Sequence, residues 1–310
     1  MAAKKLPAEY TYDLSEFTRV DPNLIHYEEA AAIETGMNEP RGIAVGAEDR
    51  LYVAGDKAVR CFDAGRLGDR GNEFAAADPQ RVAVNKAGAV FVAMRDHLEV
   101  FDDAGKRQAA WETPGKDALL TCVAAGDADV FVADAGGRAV LRYDTGGRLV
   151  NRISGPPGRG TAAAKADDEG FIVPSPYFDV ALASKDRLWV ANPGRRRVEL
   201  YAFDGSILAH WGKASFKIEG FCGCCNPLHF AVLPGGHLVT SEKGLARIKV
   251  YTPGGELASV VAPPAAFAEG TTGLDVAADS RGRIWVLDPV ARKVRLFTRK
   301  QAAPALEPKA

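Results

Sequence analysis

No run of apolar residues in these 310 positions approaches the roughly 20 needed to cross a bilayer as a helix. The first residues, MAAKKLPAEYTYDLSEF, carry two lysines but no apolar segment of the kind that marks a secretory leader. The chain as written therefore reads as soluble and cytoplasmic, and as exported only if a leader was removed ahead of this start. An excess of charge of one sign is lacking too. Lys and Arg total 39 against 40 Asp and Glu, with no long block of either, which argues against nucleic acid and membrane surfaces as partners. Cysteine is scarce, and its count of five is odd. A secreted disulfide framework would favour an even number, and a chain of this length builds a core without staples. Also missing are a Gly-x-Ser-x-Gly elbow, a phosphate-binding glycine loop and a His-Glu-x-x-His helix, which closes the corresponding routes to a hydrolase, an NTPase or a metalloprotease.

What the chain does have is glycine (32) and proline (18), spread throughout and suggesting many tight turns, with 47% hydrophobic residues to form a core. Six segments share one plan: an apolar β run, a turn with Gly or Asp, a second β run, a short polar loop and a third β run. They occupy 41–62, 81–101, 121–143, 178–201, 229–251 and 273–297. Aligning the second runs on Leu51, Val90, Val130, Leu188, Leu238 and Ile284 gives successive spacings of 39, 40, 58, 50 and 46 residues. That is the period of a four-stranded propeller blade. A fourth run follows most repeats after a hairpin turn such as DDAGK, DTGGR or TPGGE.

The stretches PRGIAV…LYVAG…VRCF and GLDVAADSRGRIWVLDPVARKVRLF resemble NHL repeats over about residues 37 to 300. The resemblance implies an all-β, six-bladed propeller of four-stranded blades. It implies little about activity, because NHL propellers include scaffolds, RNA binders, lyases and sugar-lactone-type enzymes. The zinc histidines of the amidating lyases and the channel carboxylates and Asn of the calcium lactonases are not matched well enough here to carry those activities over. The last repeat lacks an outer strand, and EEAAAIETG (28–36) is expected to supply it. The expected organisation is an arm at 1–27, one propeller over 28–300 with an inserted loop at 156–172, and a disordered tail at 301–310.

The segment FCGCCNPLHF (221–230) holds three of the five cysteines within four positions. On the propeller plan it enters blade five on the face where the channel opens. Inner-strand alignment sets Gly42, Arg81, Thr121, Asp179, His229 and Gly273 at one level beside that channel. The loops between second and third strands add Arg95, Asp96 and His97, then Arg195 to Arg197, then Ser241, Glu242 and Lys243. Cys61 and Cys122, inside β runs, read as small buried hydrophobes.

Three readings of CGCC stay open. Cys222, Cys224 and Cys225 with His229 form a donor set suited to zinc, copper or an iron–sulfur cluster. Alternatively the thiols are reactive, favoured by neighbours such as Arg81, Arg95 or Lys243, with Glu242 or His229 moving protons. The third reading is structural, a vicinal disulfide or thiol knot that pins the loop. The leading expectation is a metal or cofactor site serving a redox or small-molecule reaction. In it Cys222, Cys224, Cys225, Glu242, Arg81 and Asp179 act in catalysis, and Arg95, His97 and Lys243 help hold the cofactor. The competing expectation is a non-catalytic scaffold that offers the same face to a protein or peptide.

Overall fold

The computed structural model describes residues 15–63, 70–155, 170–301 and 306. Six four-stranded antiparallel sheets form the blades of a propeller. The innermost strands are Pro40–Val45, Arg81–Val84, Leu120–Ala125, Val180–Leu182, Phe230–Val232 and Asp275–Ala278. Each touches the next around the axis, and the last touches the first. Five blades run inner to outer in chain order. The sixth takes its outer strand from the other end of the chain, where Tyr27–Glu34 pairs antiparallel with Lys293–Arg299. The expected closure is therefore present, and it leaves the ring with no unpaired strand between its two ends.

Strand alternation explains how the blades pack. Successive side chains of a strand point to opposite faces of the sheet. In blade one, Leu51 and Val53 enter the hydrophobic cluster shared with blade six, whereas Tyr52 and Ala54 enter the cluster shared with blade two. In blade three, Val130 and Val132 face blade two, while Phe131 and Ala133 face blade four. Both faces of a central strand are thus buried, which is why these runs are apolar without a polar alternation. The core is six inter-blade layers rather than one centre. Each fully buried Val, Leu or Phe in them contributes about 1.5–3 kcal/mol.

The outer hairpins behave as their sequences suggest. Gly147 at φ 87° and Gly255 at φ 85° adopt left-handed backbone and lie directly against Trp111 and Trp211, where a side chain would collide with the indole. The insertion expected at 156–172 and the tail expected at 301–310 fall largely outside the described residues, as does most of the arm at 1–27. At the described end of the insertion, Phe171 is buried against Phe178 and Tyr201.

Candidate functional site

The pairing registers define which side chains share a level on the axis. Val84, Ala125, Leu182, Val232 and Ala278 each pair with the start of their blade's second strand, at Val90, Val130, Leu188, Leu238 and Ile284. Val45 does so with Leu51. Three positions before each of these stand Gly42, Arg81, Cys122, Asp179, His229 and Asp275. Four of the six expected positions hold. The other two are corrected. The turn that joins Ala125 to its partner Val130 is one residue shorter than in the other blades and puts Cys122 in place of Thr121, and the blade-six register puts Asp275 in place of Gly273. Cys122 is therefore an axial thiol rather than only a packing residue.

The ring is electrostatically organised. His229 is 1% exposed; its Nδ1 lies 3.0 Å from Asp179 Oδ2, and its Nε2 lies 2.9 Å from Arg81 Nη2. A guanidinium only donates and a carboxylate only accepts. Nδ1 therefore carries the proton toward Asp179, and Nε2 accepts from Arg81. Asp179 also accepts from the Phe230 and Val180 amides, and Asp275 from the Ile43 and Val276 amides. Asp275 Oδ1 lies 3.8 Å from His229 Nδ1, and its Oδ2 lies 3.8 Å from Arg81 Nε. Gly42 makes room for this arrangement, because a Cβ there would meet the Arg81 backbone and side chain at about 3.0 Å. Cys122 donates to Val180 O at 3.4 Å; burial first, and the neighbouring Asp179 second, push its thiol up.

Arg81 divides the channel. On the loop side lies a cavity of about 280 Å³, lined among others by Arg41, Gln80, Arg81, Thr121, Tyr177 and Thr272. On the opposite side a cavity of about 260 Å³ is lined by Arg81, Cys122, Asp179 and Asp275 with the apolar inner strands. Asp179, His229 and Asp275 form, among the described residues, the one group of three potential metal ligands close enough to share an ion. The three cysteines are not gathered with His229 in such a group, so the expected Cys₃His donor set is not assembled. Beside Asp179, His229 and Asp275 the Arg81 guanidinium supplies a cation, 2.9 Å from His229 Nε2 and 3.8 Å from Asp275 Oδ2.

The CGCC loop sits one layer out from the mouth. Lys243 Nζ lies 3.2 Å from Ser175 Oγ and 5.0 Å from the Tyr177 ring centroid, and Tyr177 meets His229 edge-on at 5.6 Å. Cys224 is exposed and Cys225 buried, with their sulfurs 3.0 Å apart as free thiols. Burial pushes the Cys225 thiol up, but hydrogen bonds from Cys224 and Ser175 and the Lys243 charge outweigh it, leaving it below its ordinary value. Its bond to Cys225 first, and the Cys225 charge next, push the Cys224 thiol up. Cys222 points elsewhere, donating to Lys243 O at 3.4 Å, and its thiol is raised by burial and then by Glu242.

Glu242 is explained by the repeat. Its counterparts Asp134 and Asn192 accept from the amides of Leu119 and Ile172, in the connections entering blades three and four. Glu242 accepts from the Cys222 amide at 3.1 Å in the same way. Its longer side chain also reaches Arg247 at 2.9 Å and Lys249 at 2.7 Å, all three side chains being at most 1% exposed. The two cations in turn hold the carbonyls of Phe216, Ile218 and Gly220. Burial opposes ionisation of Glu242, but Lys249 and Arg247 outweigh it and lower its pKa; burial pulls Lys249 down to about 8 against the pull of Glu242. Sequence reasoning put Glu242 beside the substrate and overlooked Arg247 and Lys249. Two basic residues alternating with apolar ones in a central strand, RIKVY, were the available signal.

The remaining expected residues lie apart. Arg95 is exposed. His97 pairs with Asp96 at 2.7 Å and approaches Glu99 at 3.7 Å on blade two. Arg197 binds Glu199 at 2.5 Å within blade four.

No protein-family model matches the chain, and no curated protein matches it. Solved structures do. A virginiamycin B lyase from Staphylococcus aureus superposes with a TM-score of 0.58 at 13% identity, covering 88% of this chain and all of that one. A streptogramin B lyase gives 0.59 at 12% identity, over 90% of this chain and all of the other. The WD40 β-propeller domain of Doa1 gives 0.57 at 12%, over 90% and 99%. At these identities the similarity establishes the propeller fold alone. Among the described residues no helix is long and apolar enough to cross a membrane.

Proposed function

We propose that this NHL-type propeller binds a small anionic molecule at the channel mouth, with Arg81 as its anchor and the Asp179–His229 pair as the proton-transferring group behind it. The observation that carries this reading is the contact of Arg81, which lines the loop-side cavity, with the buried His229 behind it. Arg81 is the group exposed to both halves of the channel, and a guanidinium presents a planar fork suited to carboxylate or phosphate. Turning it onto a ligand anion would free His229 Nε2, the ring's lone-pair nitrogen, while Asp179 keeps the tautomer and orientation fixed, as a positioned general base requires. A cavity of about 280 Å³ suits a small molecule better than a peptide, which disfavours the scaffold reading. Cys222, Cys224, Cys225 and His229 are not gathered in one donor group, so no step is routed through a metal or cluster.

The test is a thermal-shift screen of mono- and dicarboxylates and phosphate monoesters, followed by calorimetry on any hit. A hit whose affinity falls at least tenfold in Arg81→Met supports the reading. A hit whose reaction, once identified, stops in His229→Gln with binding retained supports the proton-transfer role. No stabilising anion, or hits indifferent to Arg81→Met, would overturn it.

A further inference from the structure

The cysteine loop has more thiols than its architecture requires. Asn226 anchors it, with Nδ2 donating to Cys222 O at 2.7 Å and Lys243 O at 3.0 Å and Oδ1 accepting from the Lys243 amide at 3.0 Å. Glu242 adds the Cys222 amide. Neither Cys224 nor Cys225 belongs to that anchorage. Gly223, which precedes the pair, has left-handed backbone with open space where a side chain would be, so the approach to Cys224 is clear.

What the pair does have is the layout of a reactive dithiol. One sulfur faces solvent, and the second lies 3.0 Å behind it. Beside the second stand the Ser175 hydroxyl and the Lys243 ammonium, themselves 3.2 Å apart. Thiolate is the reactive form of cysteine, and an adjacent cation favours it. The lowered pKa of Cys225 suits it to a resolving role, while Cys224, whose thiol is raised by Cys225, is the one of the pair that an incoming molecule reaches.

We propose that Cys224 and Cys225 form a redox couple that exchanges with small organic disulfides, Cys224 making the mixed disulfide and Cys225 resolving it. In the first step the Cys224 thiolate, its proton passed to solvent, attacks one sulfur of the organic disulfide and expels one thiolate. In the second, the Cys225 thiolate attacks Cys224 Sγ, breaks the mixed disulfide and expels the other. The dithiol loses two electrons and two protons, the organic disulfide gains them, and two small thiols leave. Cys222, turned toward the Lys243 carbonyl, takes no part. This activity is independent of the anion site, since neither step uses Arg81 or His229.

The experiment treats the full-length reduced protein with oxidised glutathione and follows it by intact-mass and peptide mass spectrometry. The expected product is an internal Cys224–Cys225 bond with release of two equivalents of glutathione. Cys225→Ser should stall as glutathionylated Cys224, Cys224→Ser should react at least tenfold more slowly, and Lys243→Met should shift the rate–pH profile to higher pH. Cys222→Ser should behave as wild type, and the exchange should proceed at the same rate with or without any anion found in the screen, which keeps the two outcomes separate. Without any substitution, prior treatment of the wild type with phenylarsine oxide, a dithiol chelator, should block the exchange. A wild type that stays a dithiol, that accumulates unresolved mixed disulfide, or that forms its bond through Cys222 would overturn the proposal.

Discussion

Arg81 and His229, 148 positions apart in the chain, meet on the propeller axis with Nη2 and Nε2 at 2.9 Å. The contact brings a cation into a layer that also contains Asp179 and Asp275, with the Arg81 Nε 3.8 Å from Asp275 Oδ2. Its consequences can be measured directly.

Replacing Arg81 by Ala should leave the buried Asp275 carboxylate without its neighbouring cation. The expected loss is on the order of 3 kcal/mol, the usual effect of removing one partner from a buried ion pair. Calcium or magnesium should then raise the melting temperature of the variant and leave the wild type unmoved. A variant as stable as wild type, or one deaf to divalent cations, would contradict the counter-ion role.

Gly42→Ala should reproduce much of that effect without touching a charged residue. The added methyl would press on the Arg81 backbone and side chain and displace the guanidinium from His229. Imidazole nitrogen shifts in the NMR spectrum report the change, since the wild-type ring carries its proton on Nδ1 and accepts at Nε2. Unaltered Nε2 shifts in the variant would show that glycine is not needed for this contact.

Glu242→Gln should be among the most damaging single changes in blade five. It leaves Arg247 and Lys249 buried without their anion, at a cost of about 3–5 kcal/mol by urea unfolding. It also weakens the hold on the Cys222 amide, so Cys222 should alkylate with iodoacetamide faster than in wild type. Loss of stability below about 1 kcal/mol would mean that the cations find other partners.

Lys249 predicts a pH dependence of the less familiar sign. Its folded pKa, about 8, is below the roughly 10.4 of an unfolded lysine, so between those values the unfolded chain binds more protons. This group's contribution therefore makes the fold more stable as pH rises through that window, and below about 8 its charged form carries the full burial penalty. Comparing urea midpoints at pH 7.5 and pH 10 in wild type and Lys249→Met isolates it: the variant should lack this upward component. Equal changes in the two proteins would refute it.

Deleting residues 1–34 should open the ring. Tyr27 and Ile33, both at least 96% buried, leave the clusters of blade six, and the edge of Lys293–Arg299 becomes free to pair with another chain. Light scattering should find more self-association than in the intact protein, together with a lower melting temperature.

Much of this molecule is written in local patterns. Blade count, strand order within a blade and closure by the N-terminal strand follow from apolar runs at a regular period, separated by hairpin glycines, because those features act over a few residues at a time. The level of Arg81, Asp179 and His229 on the axis was legible for the same reason. Register was not. In blade three the pairing of Ala125 with Val130 shortens the turn by one residue and sets Cys122 rather than Thr121 at the channel, whereas Asp275 keeps the nine-residue spacing to Ile284 found in the other blades. The fate of the cysteines likewise depended on distant partners. Ser175 and Lys243, 68 positions apart, flank Cys225, while Arg247 and Lys249 engage Glu242, because burial leaves a charge no alternative to whatever opposite charge or dipole the fold brings beside it.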